Sequence, residues 1–106
     1  MNYGTLISAT ELQSLLASGR PVAILDASFD LIDKAAGERS YRESHLPGAV
    51  HAHLDRDLAA PPTGRNGRHP LPSRDVFAQT AGRLGIAPDV QVVVYDRQGA
   101  MYAARA

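Results

Sequence analysis

The sequence contains no cysteine. That excludes disulfides, thiolate metal sites and a thiol nucleophile within these residues, while leaving the redox compartment open. Neither sign of charge is in excess, since 11 basic residues meet 11 acidic ones, so the chain carries no electrostatic footprint for nucleic acid or an anionic membrane. Lysine is nearly missing as well: Lys34 stands alone among arginines, a bias we read as coding before function. No apolar run approaches the ~18 residues of a membrane span, and Met1-Asn2-Tyr3-Gly4 lacks the basic-then-apolar layout of a secretory signal. A cytoplasmic location is the resulting expectation. The 106 residues fall in the range of one domain with a modest core.

What is present reads as alternating short strands and helices. Leu6-Ile7 is expected to form a short strand, and Ser8-Ala9-Thr10-Glu11 offers a capping box in which Ser8 and Glu11 satisfy each other's orphan backbone donors. A helix should run from there to about Ser18, with Leu12, Leu15 and Leu16 on one face and Gly19 as the left-handed stop. Val22-Ala23-Ile24-Leu25 reads as a buried strand ending at Asp26. The irregular, charged segment from Ala27 to Ser44 reads as a loop followed by a short helix around Ser40 to Ser44.

His45-Leu46-Pro47-Gly48 is turn chemistry, because Pro47 presets φ and Gly48 permits φ > 0. Ala49 to Ala52 should form a third strand, and Asp55 to Leu58 a helical turn. Proline and glycine are too dense from Pro61 to Pro72 for regular structure, so a surface loop is expected there. Ser73 then caps a helix whose apolar stripe is Val76, Phe77, Thr80, Ala81 and Leu84, ending at Gly85. Val92 to Tyr95 is a fourth strand, and Ala100 to Ala106 opens a helical pattern. This order argues for a parallel α/β sheet with right-handed crossovers. No internal repeat is present.

In an open parallel sheet, sites form beyond the carboxyl ends of the strands. Asp96 sits at such a corner, between the last strand and the expected helix. Its simplest role is an N-cap. A phospho-accepting aspartate would need companion acidic residues for Mg²⁺ and usually a lysine, and Lys34 lies in an unsuitable loop. A cysteine-phosphatase reading fails for want of the nucleophile.

Asp26 at a strand end and Arg42 before the tight turn are expected to form a bidentate link that fixes the loop, a role favoured over substrate binding by Arg42. His51 and His53 are two apart on a strand and so share a face, but with His45 and His69 they supply no evident third and fourth ligand, and no metal is expected. His45 is expected to brace the Pro47-Gly48 turn. Gly64-Arg65-Asn66-Gly67-Arg68 matches neither a P-loop nor a dinucleotide fingerprint. Its arginines could meet an anion or a partner domain, and a solvated loop is the preferred reading.

Two segments together carry a family resemblance. Tyr41-Arg42-Glu43-Ser44-His45-Leu46-Pro47-Gly48-Ala49-Val50 resembles the rhodanese signature, where a His-Ile-Pro-Gly-Ala type of turn is usual. Val92 to Asp96 with Tyr102-Ala103-Ala104-Arg105-Ala106 resembles the stretch around the rhodanese active-site loop. Leu25-Asp26-Ala27-Ser28 and Tyr95-Asp96 look like the first half of the tandem-domain thiosulfate and 3-mercaptopyruvate sulfurtransferases. The resemblance runs from Ile7 to Ala106.

The resemblance implies an open parallel sheet with helices on both faces. It also implies a two-domain enzyme whose second domain carries a cysteine that takes sulfane sulfur from a donor as a persulfide and passes it to a thiophilic acceptor. Asp96 then stands where the catalytic cysteine of the other domain would be. Asp26, Arg42, His45, Pro47, Gly48 and Asp96 become structural residues, and no catalytic residue and no cofactor is expected. The expected partners are a second rhodanese domain downstream and small sulfur-containing substrates, with no nucleic acid and no membrane. Rhodanese domains carry a further strand and helix after the segment matching Ala106, so residues 1–106 are expected to be one domain, incomplete at the C-terminus. The rival reading is a free-standing inactive module that binds a protein partner or an anion. The donor, thiosulfate or mercaptopyruvate, stays open.

Overall fold

The structure is a computed structural model that describes residues 6–65, 67 and 69–106. Its elements in chain order are α1 (Ala9–Ala17), β1 (Val22–Asp26), α2 (Ala36–Glu43), β2 (Val50–His51), α3 (Arg74–Arg83) and β3 (Gln91–Tyr95). The three strands form an open parallel sheet in the order β2-β1-β3. β1 is central because its Val22-Ala23-Ile24-Leu25 run can be buried on both faces, as parallel strands require. Register aligns Leu25 with Val50 on one side and with Val94 on the other.

The capping box forms as its spacing predicts. Ser8 Oγ accepts the Glu11 N–H at 3.1 Å, and Glu11 Oε1 accepts the Ser8 N–H at 2.9 Å. Of the three leucines on α1, Leu15 is fully buried while Leu16 remains exposed. Gly19 ends the helix with φ +79°. Leu6-Ile7 does not form a strand. Ile7 lies directly before the Ser8 N-cap, and Leu6 is 83% exposed.

α2 begins at Ala36, earlier than the expected Ser40, and carries Gly37 inside it. The physical reason is a close approach. A Cβ on Gly37 would lie 1.9 Å from the Ser28 carbonyl oxygen, so only glycine lets this helix settle against the chain leaving β1. β2 is shorter than expected, though the Ala52 N–H still reaches the Asp26 carbonyl at 2.8 Å.

The principal core joins Leu25, Ala27, Phe29, Ala52, Leu54, Leu58, Leu84 and Tyr102, with Ile86, Val92 and Val94 packed against it. Ile24 and Val93 are paired in register and buried. Because strand side chains alternate, they occupy the opposite face of the sheet from Leu25 and Val94.

Ser73 caps α3 through the Val76 N–H at 3.3 Å, and Gly85 closes it with φ +87°. The stripe on α3 is only half covered. Thr80 and Leu84 are buried, but Val76 is 57% and Phe77 37% exposed, and Leu71 nearby is 77% exposed. Leu71 and Phe77 line a shallow groove with Leu58 and Pro72. Exposed apolar surface and open sheet edges favour association, so the protein of this sequence is expected to elute above monomer size as concentration rises. Leu71→Gln with Phe77→Gln should move it toward the monomer, and an unchanged size-exclusion profile would argue against this cause.

The segment from Ala100 to Ala106 is a succession of turns rather than the expected regular helix. Ala100 takes a left-handed φ of 71°, which interrupts a right-handed helix at its first residue. The N–H groups of Tyr102 and Ala103 turn instead to the Asp96 side chain.

Candidate functional site

Asp26, His51 and Asp96 mark the carboxyl ends of the three strands, the edge where an open parallel sheet builds its sites. Asp26 is fully buried, and its oxygens are divided between two donors. Oδ1 accepts the Ser28 N–H at 2.9 Å, and Oδ2 accepts the Tyr95 hydroxyl at 2.9 Å. The Tyr95 oxygen in turn accepts the Leu46 N–H at 3.1 Å. Burial pushes the Tyr95 phenol above its usual pKa; the Leu46 N–H opposes that rise and the Asp26 carboxylate adds to it. One chain of bonds, buried at its Asp26 end, thus joins the ends of β1 and β3 to the turn before β2.

The expected Asp26–Arg42 link is not formed. Arg42 lies on the solvent side of α2 and pairs with Glu38 one turn earlier, at 2.6 Å. Such i,i+4 pairing is local and needs no loop to close. Arg97 ties the loop to α2 instead: its Nη2 donates to the carbonyls of Ser44 at 2.6 Å and Ser40 at 3.3 Å, at the helix end where a cation is favoured. His45 stacks on Tyr41 with ring centroids 3.9 Å apart, while the Tyr41 hydroxyl donates to the Ala49 carbonyl at 2.7 Å. Gly48 has φ +81° in the turn following Pro47, closed by the Ala49 N–H on the Leu46 carbonyl at 2.9 Å.

The Asp96 carboxylate is surrounded by backbone donors. Oδ1 accepts from Gln98 at 2.9 Å and Ala100 at 2.8 Å, and Oδ2 from Tyr102 at 2.7 Å and Ala103 at 2.9 Å. Four N–H groups converging on one point form an anion-binding concavity, and this one is occupied by a side chain of the same chain. Desolvation is the largest single influence and raises the Asp96 pKa, but the four backbone bonds together outweigh it, and the carboxyl is held below its usual value.

A folded-state pKa below the unfolded one contributes stability at neutral pH that is lost as pH falls through the folded value. Wild type is therefore expected to lose stability in acid, below about pH 4, more steeply than Asp96→Asn. Chemical denaturation at several pH values checks this, and parallel curves for the two proteins would contradict it.

His51 and His53 each direct one ring nitrogen at a backbone carbonyl. His51 Nε2 lies 3.1 Å from the Ser28 carbonyl and His53 Nε2 lies 3.2 Å from that of Lys34. A ring nitrogen facing a carbonyl must carry the proton and offers no lone pair. Among the described residues no three His, Asp or Glu side chains converge as a metal site. Gly64, Arg65 and Gly67 lie on an exposed loop; Asn66 and Arg68 of the same motif fall outside the described residues.

Two groupings escaped the sequence. Arg105 donates to the carbonyls of Leu58 and His69, both at 2.9 Å, pinning the proline-rich loop. His69 Nε2 meets Asp55 Oδ1 at 3.2 Å, and Lys34 meets Asp55 Oδ2 at 3.5 Å. Lys34 and His69, with Leu31, Pro62 and Gly64, line an open cleft of about 450 Å³. The sequence signal was present only as residue types; the 14-residue gap between Asp55 and His69 concealed the pairing.

A parallel α/β sheet whose carboxyl edge carries an anion cradle, filled by a carboxylate, defines the class of domain. The chain belongs to the rhodanese-like domain family, whose sequence pattern matches residues 8–106. It is 44% identical over 101 residues to the "Putative thiosulfate sulfurtransferase SseB" of Mycobacterium tuberculosis, covering 95% of this chain and 35% of that protein. It is 42% identical over 107 residues to the "Probable 3-mercaptopyruvate sulfurtransferase" of Pseudomonas aeruginosa, covering 100% of this chain and 37% of that one. Among solved structures, 3-mercaptopyruvate sulfurtransferase from Leishmania major superimposes with a TM-score of 0.81 at 29% identity, over 93% of this chain and 27% of that one. The chain thus spans about a third of the length of the curated relatives it matches. No helix among the described residues is long and apolar enough to cross a membrane.

Proposed function

We propose that the chain is the N-terminal, non-catalytic rhodanese domain of a sulfurtransferase that moves sulfane sulfur from thiosulfate or 3-mercaptopyruvate to a thiophilic acceptor. One observation carries this reading: the backbone cradle that would favour a thiolate or persulfide holds the Asp96 carboxylate, in a chain with no cysteine. Asp96 stands at the place of the family's cysteine, and with Asp26, Arg97 and the Pro47-Gly48 turn it serves to hold the strand ends together. Residues 1–106 belong to one rhodanese-like domain, completed by chain beyond Ala106 and followed by a second such domain that brings the nucleophile.

In this reading the present domain contributes fold stability and one wall of an interdomain site. The cleft bearing Lys34 and His69 is the candidate for that wall, with the Lys34 ammonium shared between Asp55 and an anionic donor. A cytoplasmic setting is part of the proposal, since a reducing compartment keeps a sulfur-carrying thiol from disulfide formation.

The test is sulfur transfer by the full-length gene product with each donor in turn. Turnover that disappears when the downstream cysteine is replaced supports the proposal. A full-length product without a second domain, and without turnover on either donor, would favour the rival, a free-standing inactive module.

A further inference from the structure

Away from the Lys34 cleft, a small pocket of about 100 Å³ opens between the end of β1, the start of α2 and the loop after β3, lined by Ser28, Asp30, Gly37, Ser40 and Arg97 among others. Its volume is that of a few water molecules, at ~30 Å³ each. Its wall brings the Arg97 guanidinium and the Ser28 and Ser40 residues together with the Asp30 carboxylate. Ser28 is 3% exposed, and its hydroxyl oxygen is buried with no hydrogen-bond partner, an arrangement that costs stability unless something fills it.

The first turn of α2 supplies a second feature. Its N-cap, Ala35, has no side chain able to accept, and no capping bond is made. The helical ladder begins with the Arg39 N–H on the Ala35 carbonyl at 3.1 Å, so the N–H groups of Gly37 and Glu38 lie ahead of it. Glu38 does not cap them, because its carboxylate is drawn to Arg42 at 2.6 Å and Arg56 at 3.3 Å. Arg97 brings a full positive charge, with only Nη2 committed to the α2 carbonyls. Asp30 opposes an anion, but its Oδ1 already accepts from Ile32 at 2.8 Å and Asp33 at 3.1 Å, which moderates its charge.

We propose that this pocket binds one small inorganic oxyanion, of the size of sulfate or phosphate, between the Ser28 hydroxyl, the Gly37 N–H in the first turn of α2 and the Arg97 guanidinium. A helix N-terminus joined to a cation is a general recognition mode for such ions. The buried hydroxyl adds directional selection for an oxygen acceptor over chloride. The site is independent of the sulfurtransferase reading, and with Asp30 at its edge it should bind in the millimolar range.

The test is a two-dimensional amide NMR titration of the whole chain with sodium sulfate at constant ionic strength, with sodium chloride as control. Saturable shifts centred on Gly37 with sulfate alone are expected, and Ser28→Ala should weaken them about tenfold, the effect of one hydrogen bond to a charged group. Without sulfate, Ser28→Ala should melt at or above the wild-type temperature, since it deletes only an unpartnered hydroxyl. Shifts that never saturate, equal shifts with chloride, or undiminished binding by Ser28→Ala overturn the proposal. So does a lower melting temperature or failure to fold of that variant, which would mean that the hydroxyl is already partnered within the protein.

Discussion

Gly37→Ala is expected to destabilise the protein by about 3 kcal/mol, the upper end of ordinary overpacking. The added Cβ would meet the Ser28 oxygen at 1.9 Å, the Ser28 carbonyl carbon at 2.5 Å and the Phe29 Cα at 2.9 Å. All three are backbone atoms, so no rotamer change relieves the contact. Nor can that backbone give way freely: the Ser28 N–H is bonded to buried Asp26, its carbonyl faces His51, and Phe29 next to it belongs to the core. The control is Gly82→Ala in the last turn of α3, where nothing lies within 4 Å of the new Cβ. There alanine should stabilise by about 0.5 to 1 kcal/mol through helix propensity. Urea denaturation of the two variants gives the comparison. A Gly37→Ala protein within about 0.5 kcal/mol of wild type, the usual range of a harmless surface change, would refute the packing described here.

Asp96→Ala is expected to cost about 1 to 2 kcal/mol, because four backbone donors lose the negative charge they share, while the exposed N–H groups of Gln98 and Ala100 can turn to water. Asparagine is not an equivalent replacement at this position. An N-cap bonded through one oxygen would survive Asp96→Asn, but here both oxygens are used, each by two N–H groups. The amide nitrogen of asparagine would face two donors, so Asp96→Asn should cost nearly as much as alanine. A small anion added to the Asp96→Ala protein should recover part of the loss by occupying the emptied cradle. Asp96→Cys should not produce an efficient enzyme by itself, since the Arg97 Nη2 is engaged by the α2 carbonyls rather than by a donor. Denaturation curves of the three variants, with a donor assay on the cysteine form, decide these points. An alanine variant as stable as wild type would remove the structural role of Asp96.

Features governed by neighbouring residues were legible in the sequence. The Ser8–Glu11 box, the Ser73 cap, the Gly19 and Gly85 stops and the Pro47-Gly48 turn all depend on residues within one turn of each other. The apolar runs of β1 and β3 were legible for the same reason. Features governed by distant partners were not. Gly37 reads as a helix breaker until the Ser28 carbonyl is found against it. Arg42 was assigned to Asp26 by type, but Asp26 is satisfied by Tyr95, 69 residues away, while Arg97 reaches α2 across 53 residues. The C-terminal helical pattern failed because a side-chain carboxylate competes with the helical ladder for the same N–H groups, a contest that composition does not reveal. The place of Asp96 after the last strand is legible in the sequence, while the four donors it satisfies emerge only from the folded loop.

The most direct test of the account is a donor assay on purified protein of this sequence, reading thiocyanate formed from cyanide with thiosulfate and with 3-mercaptopyruvate. The account predicts no turnover above a heat-treated control, because a persulfide needs a thiolate and the cradle that would hold one is filled by Asp96. Donor-dependent thiocyanate formation by this cysteine-free chain would contradict it.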